Sequence, residues 1–292
     1  MRTFREALQG EGLTITAELT LKRDSTARDI QQQADVLGDH VDAIQVTDIP
    51  YAWVQMSSLS AAMILMDHGI DAIPIMTCRD RNRIALHSDL LGLRALGVTS
   101  LLLTRGYKVP RRHSAPGSMV FDLSGRELIE LAAGLGEEQP PIPGEDFFIG
   151  TAANAFRPKR NWQAESLRAK AVAGAQFLQT QLCFNPDMLR HYMKRFVEAK
   201  LTRNFSVMVT LSPLPSAVTA GWLKKHMKDA RIPDAVIERL ESAKDPEQEG
   251  IRLCAEMMQE ISEIPGISGI NLMTMGNPEA IPAAIEASGV RS

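Results

Sequence analysis

Polar side chains that could take part in catalysis or binding stand at the ends of short apolar runs in this chain. Glu18 ends the run 13–18, Thr47 ends the run 43–47, and Arg105 and Gly106 follow the run 98–104. Short apolar runs bounded by turn residues indicate strands buried on both faces of a parallel sheet. Ligands bind beyond the carboxyl ends of such strands, so we expect these side chains to gather at one site.

Glu18 is the first candidate for catalysis. A carboxyl group at the mouth of a barrel has its pKa raised by burial, which suits a general acid. The alternative is a structural carboxylate, stabilised by a helix dipole or paired with an arginine, and position alone does not separate this from catalysis. Gln181 follows the predicted strand 176–180. Its amide could hydrogen-bond both the donor and the acceptor edges of a heterocycle.

The cysteines and histidines do not suggest a metal site. The three cysteines are far apart, and none of the six histidines ends a predicted strand. We therefore expect no metal and no disulfide framework, and we interpret Cys78 as a packing residue. A glycine-rich dinucleotide fingerprint is missing, which argues against a Rossmann domain.

Eight predicted strands position these side chains, and a helical pattern follows each of them. This alternation, without an internal break in composition, predicts an α/β fold: a single (β/α)8 TIM barrel forming one domain over residues 1–292. The predicted strands are 13–18, 43–47, 72–76, 98–104, 147–150, 176–180, 206–210 and 268–272.

Local signals mark the ends of several elements. Asp80 is predicted to cap a helix that ends before Gly97, and Ser124 with Glu127 has the spacing of a capping box. The proline-containing segment 137–146 is predicted to be a connecting loop at the opposite end of the barrel. Prolines divide the long segment 210–268, so we expect several helices there that shape a lid over the substrate.

The composition indicates an ordinary soluble globular protein. Charged residues make up 23% and hydrophobic residues 45%, and the formal net charge of -3 favours no nucleic-acid partner. Short basic clusters at 79–83, 108–112 and 157–160 are either solvated loop ends or anion-binding segments. We recognise no signal peptide and no apolar run long enough to span a membrane, so we expect a cytoplasmic protein.

With these residues in place, the chain resembles the methylenetetrahydrofolate reductase family. Residues 77–83 read Thr-Cys-Arg-Asp-Arg-Asn-Arg, residues 103–106 read Leu-Thr-Arg-Gly, and residues 180–185 read Thr-Gln-Leu-Cys-Phe-Asn. The matches follow the order and spacing of the family's motifs and extend over most of its catalytic domain. Further matches are Glu18, Val46-Thr47, Lys170, Ala173-Gly174-Ala175 and the segment 269–274.

The resemblance implies a barrel that binds FAD and transfers hydride from NAD(P)H to 5,10-methylenetetrahydrofolate, giving 5-methyltetrahydrofolate. It implies that Glu18 is the acid that protonates the pterin, and that Gln181 and Thr274 contact the folate substrate. The positions expected to contact the flavin are Thr47, Arg105, Gly106, Tyr107, Ala153 and Lys170.

Departures from the family pattern are concentrated in the flavin pocket and spare Glu18. Tyr107 stands where the family has an aspartate after Arg-Gly, and Ile75 stands where it has a histidine. Residues 153–158 replace the family's Tyr-Pro-Glu-x-His-Pro. In the following helix, Gln163 and Ser166 replace an aspartate and an asparagine.

Three hypotheses accommodate these departures. We expect FAD to be retained, because Arg105-Gly106 and Lys170 have little other reason to be present. Alternatively, NAD(P)H delivers hydride directly to the same substrate, or the chain is a non-catalytic folate-binding subunit that serves a methyltransferase. Self-association into a homo-oligomer through the barrel helices is a further expectation.

Overall fold

The described residues form a closed barrel of eight parallel strands. The computed structural model describes residues 2–108, 117–137, 144–227 and 229–291. Each strand pairs with the next along the chain, and β8 pairs with β1, which confirms the predicted (β/α)8 fold. The strands are β1 Thr14–Leu19, β2 Ala43–Val46, β3 Ala72–Thr77, β4 Ser100–Thr104, β5 Phe148–Ala153, β6 Phe177–Leu182, β7 Ser206–Leu211 and β8 Gly269–Met273.

Helices cover the outside of the barrel. The helices are α1 Phe4–Gln9, α2 Ala27–Leu37, α3 Ser58–Asp67, α4 Arg83–Ala95, α5 Gly125–Gly134, α6 Glu165–Val172, α7 Pro186–Glu198, α8 Ala217–His226, α9 Asp234–Ser242, α10 Pro246–Ser262 and α11 Ala280–Ser288. The apolar faces of α2 to α11 pack on the strands in one core, and that of α1 belongs to a second cluster inside the barrel. Among the described residues, no helix combines the length and the apolar character needed to cross a bilayer.

Prolines divide the segment between β7 and β8 as predicted, giving α8, α9 and α10. Pro233 stands at the start of α9, and Pro246 occupies the first turn of α10, where its missing N–H costs no hydrogen bond. The capping box of Ser124 and Glu127 is also present at the start of α5. Of the predicted loop 137–146, residues 138–143 lie outside the described residues.

The predicted cap of α4 is wrong by two residues. Asn82 caps the helix, because its side chain accepts a hydrogen bond from the N–H of Ala85 at 2.9 Å. The carboxylate of Asp80 instead binds the guanidinium of Arg79 at 2.6 Å. A doubly hydrogen-bonded ion pair is stronger than a single cap, and Asn82 caps helices as well as aspartate does.

A short helix that the sequence patterns did not predict closes the amino end of the barrel. A capping box between Thr3 and Glu6 starts α1. The ring of Phe4 is fully buried and lies 5.9 Å from that of Phe148 and 5.1 Å from that of Phe177. These aromatic rings fill the barrel at the first residues of β5 and β6, so this end offers no route for a ligand.

Above the aromatic layer, uncharged polar side chains occupy part of the barrel interior beside apolar ones such as Ile73 and Leu102. Gln45 and Gln179 exchange amide hydrogen bonds across the barrel, one of them 3.0 Å long. The hydroxyl of Thr16 donates to Asn271 at 2.8 Å. TIM barrels more often fill these layers with branched apolar side chains. This polar layer is the floor on which the carboxyl-end cavity rests.

Candidate active site

A cavity of about 370 Å³ opens at the carboxyl end of the barrel, above the polar layer. Six strands, or the residues that follow them, supply most of its wall, and Met227, just after α8, adds to it. Ligand pockets of small molecules have volumes in this range. The lining residues are Glu18, Thr47, Asp48, Ile49, Pro50, Ile75, Thr77, Arg79, Leu102, Thr104, Arg105, Gly106, Tyr107, Ala152, Met227 and Met273.

Among the groups that line this cavity, Glu18 has the most strongly shifted pKa. It lies in β1, in register with Gln45 on one side and Met273 on the other, and it is half-buried. No hydrogen bond or ion pair to its carboxyl group occurs among the described residues. Burial without a compensating partner raises its pKa to about 7, so a large fraction of Glu18 holds a proton at neutral pH.

The segment after β3, which contains most of the Thr-Cys-Arg-Asp-Arg-Asn-Arg motif, builds part of the wall of the cavity. Asp48 is buried and accepts hydrogen bonds from the N–H and the hydroxyl of Thr77, both at 2.8 Å, and it pairs with Arg81. Arg79, also buried, donates to the carbonyl oxygen of Ile49 at 2.9 Å. These bonds tie the β3 loop to the β2 loop. Sequence reasoning gave Asp48 no role, although its position after a strand was a usable signal.

Arg105 and Gly106 have structural partners of their own. The guanidinium of Arg105 lies 4.4 Å from the centre of the Phe121 ring. Gly106 has φ +80°, and a Cβ there would lie 3.0 Å from Cβ of Thr77 and 3.3 Å from Cβ of Arg79. Only glycine combines this backbone conformation with so close an approach. Both residues therefore have reasons to be present that require no flavin.

Tyr107 lines the cavity but is 63% exposed. Its hydroxyl lies 3.4 Å from Oδ2 of Asp229, a contact longer than an ordinary O–H···O hydrogen bond. Asp229 and Met227 both belong to the segment that follows α8. The predicted lid region thus reaches the cavity, although sequence patterns could not identify which of its residues do so.

Two of the predicted flavin contacts lie in a separate cavity. Ala153 and Lys170 line a second space of about 350 Å³ beside α6. The amine of Lys170 donates to the carbonyl oxygen of Ala152 at 2.7 Å, and burial lowers its pKa. Ala152 lines both cavities.

Gln181 and Thr274 do not line either cavity. Gln181 lies within β6 rather than after it, where the pairing register with β7 shifts. Its amide accepts a hydrogen bond from the N–H of Ala155 at 3.0 Å. Thr274 is buried and its hydroxyl is hydrogen-bonded to that of Thr20. The roles expected for Gln181 and Thr274 stay predictions.

The cysteines are buried in the described part of the chain. Burial raises the pKa of the Cys78 thiol to about 11, which leaves it protonated at neutral pH and unreactive as a nucleophile. Cys183 and Cys254 are also buried and free. Within the described ranges, the structure contains no group of three or more His, Cys, Asp or Glu residues placed to hold a metal ion.

One curated relative shares sequence with most of this chain. A probable methylenetetrahydrofolate reductase (NADPH) of Caenorhabditis elegans is 26% identical over 243 residues, which are 80% of this chain but 35% of that protein. The chain thus spans about a third of the length of this curated relative.

Solved structures share the fold. One is an uncharacterized protein from Clostridium thermocellum, described as binding two copies of 5-methyl-5,6,7,8-tetrahydrofolic acid. It has a TM-score of 0.65 at 17% identity and covers 97% of this chain and 96% of its own. An F420-dependent secondary alcohol dehydrogenase has a TM-score of 0.57 at 11% identity. The match covers 96% of this chain and 99% of that structure's chain.

The family assignment rests on nearly the whole chain. The family model described as methylenetetrahydrofolate reductase matches residues 3–289. This match includes every strand of the barrel and all the residues that line the Glu18 cavity. This chain therefore belongs to the methylenetetrahydrofolate reductase family.

Proposed function

We propose that the chain reduces 5,10-methylenetetrahydrofolate to 5-methyltetrahydrofolate, with NAD(P)H as the source of hydride. The observation that carries the proposal is Glu18, a carboxyl group without a partner among the described residues, whose pKa is about 7, in a cavity at the catalytic end of the barrel. Family membership supplies the substrate class, and a fold relative is described as binding 5-methyl-5,6,7,8-tetrahydrofolic acid.

The proposed reaction begins with a proton transfer from Glu18. Protonation of N10 in the five-membered ring of the substrate breaks the bond between N10 and the one-carbon bridge. The product of this step is an iminium between that carbon and N5. Hydride from C4 of the reduced nicotinamide then adds to the carbon, giving the N5-methyl group and the oxidised nucleotide. Glu18 is left ionised and takes a proton from solvent for the next turnover.

The cavity wall suits this chemistry. Ile75, Leu102, Pro50 and Met273 present apolar surface beside Glu18. Such a wall receives a flat heterocycle and excludes water, which protects the iminium from hydrolysis. The ion pairs of Asp48 and Arg79 are satisfied within the wall, so they hold its shape.

The described side chains do not form a ready flavin site. Of the residues that could hold the phosphates of FAD, Arg105 stacks on Phe121 and the amine of Lys170 binds the Ala152 carbonyl oxygen. Gly106 is accounted for by its contacts with Thr77. These partners remove the reasons for expecting FAD that the sequence offered. The proposed reaction balances with NAD(P)H alone, and we therefore favour direct transfer from the nucleotide.

Gln181 and Thr274 remain proposed folate contacts. For Gln181 to hydrogen-bond a pterin, its amide must release the backbone of Ala155. Thr274 would have to share its hydroxyl with Thr20. Both changes require movement on binding, which makes Glu18 the firmer assignment of the three.

Steady-state assays of Glu18→Gln test the proposal. The parent is expected to oxidise NADH or NADPH in the presence of methylenetetrahydrofolate, and the variant is expected to lose about two to four orders of magnitude in kcat. Exposed Glu11→Gln is the matched control and should retain parental activity. Measurable folate binding without turnover by the parent would reject the reductase and favour the folate-binding subunit.

The absorption spectrum of the freshly purified protein tests the hydride route. A colourless protein that is active with nucleotide and folate supports direct transfer. A yellow protein containing about one extractable flavin per chain would overturn it in favour of FAD.

A further inference from the structure

Three consecutive residues after β2 are each held in place by a side chain from elsewhere. Asp48 and the carbonyl oxygen of Ile49 are bound by side chains of β3 and of the segment that follows it. Thr47, the first of the three, is bound instead by Gln55, which lies eight residues further along the chain. Gln55 does not line the Glu18 cavity, so it can act on the cavity through Thr47.

The amide of Gln55 fixes the direction of hydrogen bonding at Thr47. One terminal atom of the Gln55 side chain lies 2.9 Å from the carbonyl oxygen of Thr47 and 3.2 Å from its hydroxyl oxygen. A carbonyl oxygen only accepts hydrogen bonds, so this atom is the amide nitrogen Nε2, and the hydroxyl oxygen accepts from it as well. The hydroxyl proton of Thr47 therefore points away from Gln55.

The Thr47 hydroxyl keeps this proton for the cavity. Thr47 is half-buried and lines the cavity together with Glu18. Its hydroxyl donates no hydrogen bond to another residue in the part of the chain that the structure describes. It stands two residues beyond Gln45, the register partner of Glu18, so the acid and the hydroxyl lie in neighbouring parts of the wall. Such a donor in an apolar pocket fixes the orientation of a ligand.

We propose that Gln55 is a positioning residue, which orients the Thr47 hydroxyl as a hydrogen-bond donor to a carbonyl oxygen of the molecule bound beside Glu18. The inference rests on the proposed function for its ligands. Both carry such an oxygen, on the pterin ring of the folate and on the carboxamide of the nicotinamide. A hydroxyl that is already oriented loses little freedom on binding, and it holds the heterocycle at one angle to the acid.

Reversing the polarity at position 55 tests this role. In Gln55→Glu the carboxylate accepts the hydroxyl proton of Thr47, so the hydroxyl no longer donates to the ligand. Calorimetry with 5-methyltetrahydrofolate and, separately, with NADH and NADPH is expected to show about three- to tenfold weaker binding of the ligand concerned, the typical contribution of one neutral hydrogen bond. Thr47→Val, which removes the hydroxyl, should match it. Gln55→Leu leaves the hydroxyl free to rotate and should weaken binding less.

A double-variant cycle separates positioning from a purely structural tie between the ends of the loop 48–54. In the Thr47→Val background, Gln55→Glu is expected to change binding by no more than about twofold, because no hydroxyl is left to orient. In the Thr47→Ser background, which keeps the hydroxyl, it should weaken binding as it does in the parent. Urea unfolding of each variant shows that the proteins compared are folded.

Gln259→Glu is the matched control. The amide nitrogen of Gln259 also donates to a backbone carbonyl oxygen, that of Ser288 at 2.9 Å, in the contact between α10 and α11. The variant makes the same change of charge away from the Glu18 cavity, so it should bind each ligand within about twofold of the parent.

The two ligands distinguish the source of the carbonyl oxygen. Weaker binding of the folate assigns it to the pterin, and weaker binding of the nucleotide assigns it to the carboxamide. Unchanged binding of both ligands by Thr47→Val would overturn the inference. Equal losses from Gln55→Glu in the Thr47→Val and Thr47→Ser backgrounds, or a larger loss from Gln55→Leu than from Gln55→Glu, would do so too.

The outcome for Gln55 is separable from that of the proposed function. A chain whose variants bind the ligands as expected but whose parent shows no reductase activity would refute the reductase and support the role of Gln55. An active reductase in which Gln55→Glu changes neither binding nor KM would do the reverse.

Discussion

Gln45, the register partner of Glu18 in β2, exchanges amide hydrogen bonds with Gln179 across the interior of the barrel. Each amide gives one N–H and its oxygen to the other, and neither donates a hydrogen bond to the carboxyl group of Glu18 among the described residues. The floor of the cavity is therefore polar without being charged. Burial of the Glu18 carboxyl group is not offset by a partner among the described residues, and its pKa rises to about 7.

The amide pair should show strong coupling in stability. Gln179→Ala is expected to reduce the free energy of unfolding by about 1–3 kcal/mol beyond the loss of packing, because it leaves Gln45 buried without a partner. Gln45→Met/Gln179→Met replaces both amides with apolar groups of similar length and should cost less than the sum of the single Met variants. Urea unfolding of the four proteins provides the double-mutant cycle, and additive losses would contradict the pairing.

The pH dependence of kcat/KM should report the titration of Glu18. The acid is active when protonated, so activity is expected to be present below pH 7 and to fall as the pH rises through about 7. The residual activity of Glu18→Gln should lack this limb, since an amide does not titrate. A parental profile that stays flat from pH 6 to 9 would be inconsistent with Glu18 as the acid.

Stability should carry the same titration with a predictable sign. The pKa of Glu18 is about 7 in the folded chain against 4.5 for the unperturbed group, so the folded state holds the proton through this window and the unfolded state releases it. Stability therefore decreases as the pH rises from about 4.5 to 7, by about 3 kcal/mol at most. Chemical unfolding at pH 4.5 and 8 should show a smaller decrease in Glu18→Gln than in the parent.

Gly106→Ala should destabilise the chain more than backbone strain alone predicts. The added methyl group meets both a φ of +80° and the 3.0 Å approach to Thr77. Gly69 has the same φ of +80° with no atom within 4 Å of its Cβ position, so Gly69→Ala measures the strain by itself. We expect about 1 kcal/mol for Gly69→Ala and a further 1–3 kcal/mol for Gly106→Ala. Equal losses of stability for the two variants in thermal or urea unfolding would show that the β3 loop moves to accommodate the added methyl group.

The contact of Arg105 with Phe121 should be measurable as a coupling energy. Arg105 is exposed, so the cation–π interaction is expected to contribute about 0.5–1 kcal/mol in a cycle of Arg105→Met and Phe121→Leu. Urea unfolding at low and high salt would measure it. A coupling energy near zero would free Arg105 for a ligand and restore one of the reasons for expecting FAD.

The sequence by itself determined the barrel and the position of Glu18. Apolar runs, turn residues and prolines act locally, so the order of the eight strands, the separate helices between β7 and β8, and the carboxyl-end location of Thr47, Arg105 and Gly106 could all be predicted. The boundary errors are two or three residues: β5 and β6 continue past their predicted ends to Ala153 and Leu182, and Asn82 rather than Asp80 caps α4 because an ion pair competes for the aspartate.

Only the tertiary structure decided which of these residues share a cavity. It separates Lys170 and Ala153 from Arg105, engages Gln181 with the backbone of Ala155, and brings Met227 into the same cavity as Glu18. These relationships depend on contacts between residues far apart in the chain, such as the amides of Gln45 and Gln179. Local periodicity contains no information about such partners, because they are set by strand register and by how loops pack across the barrel mouth.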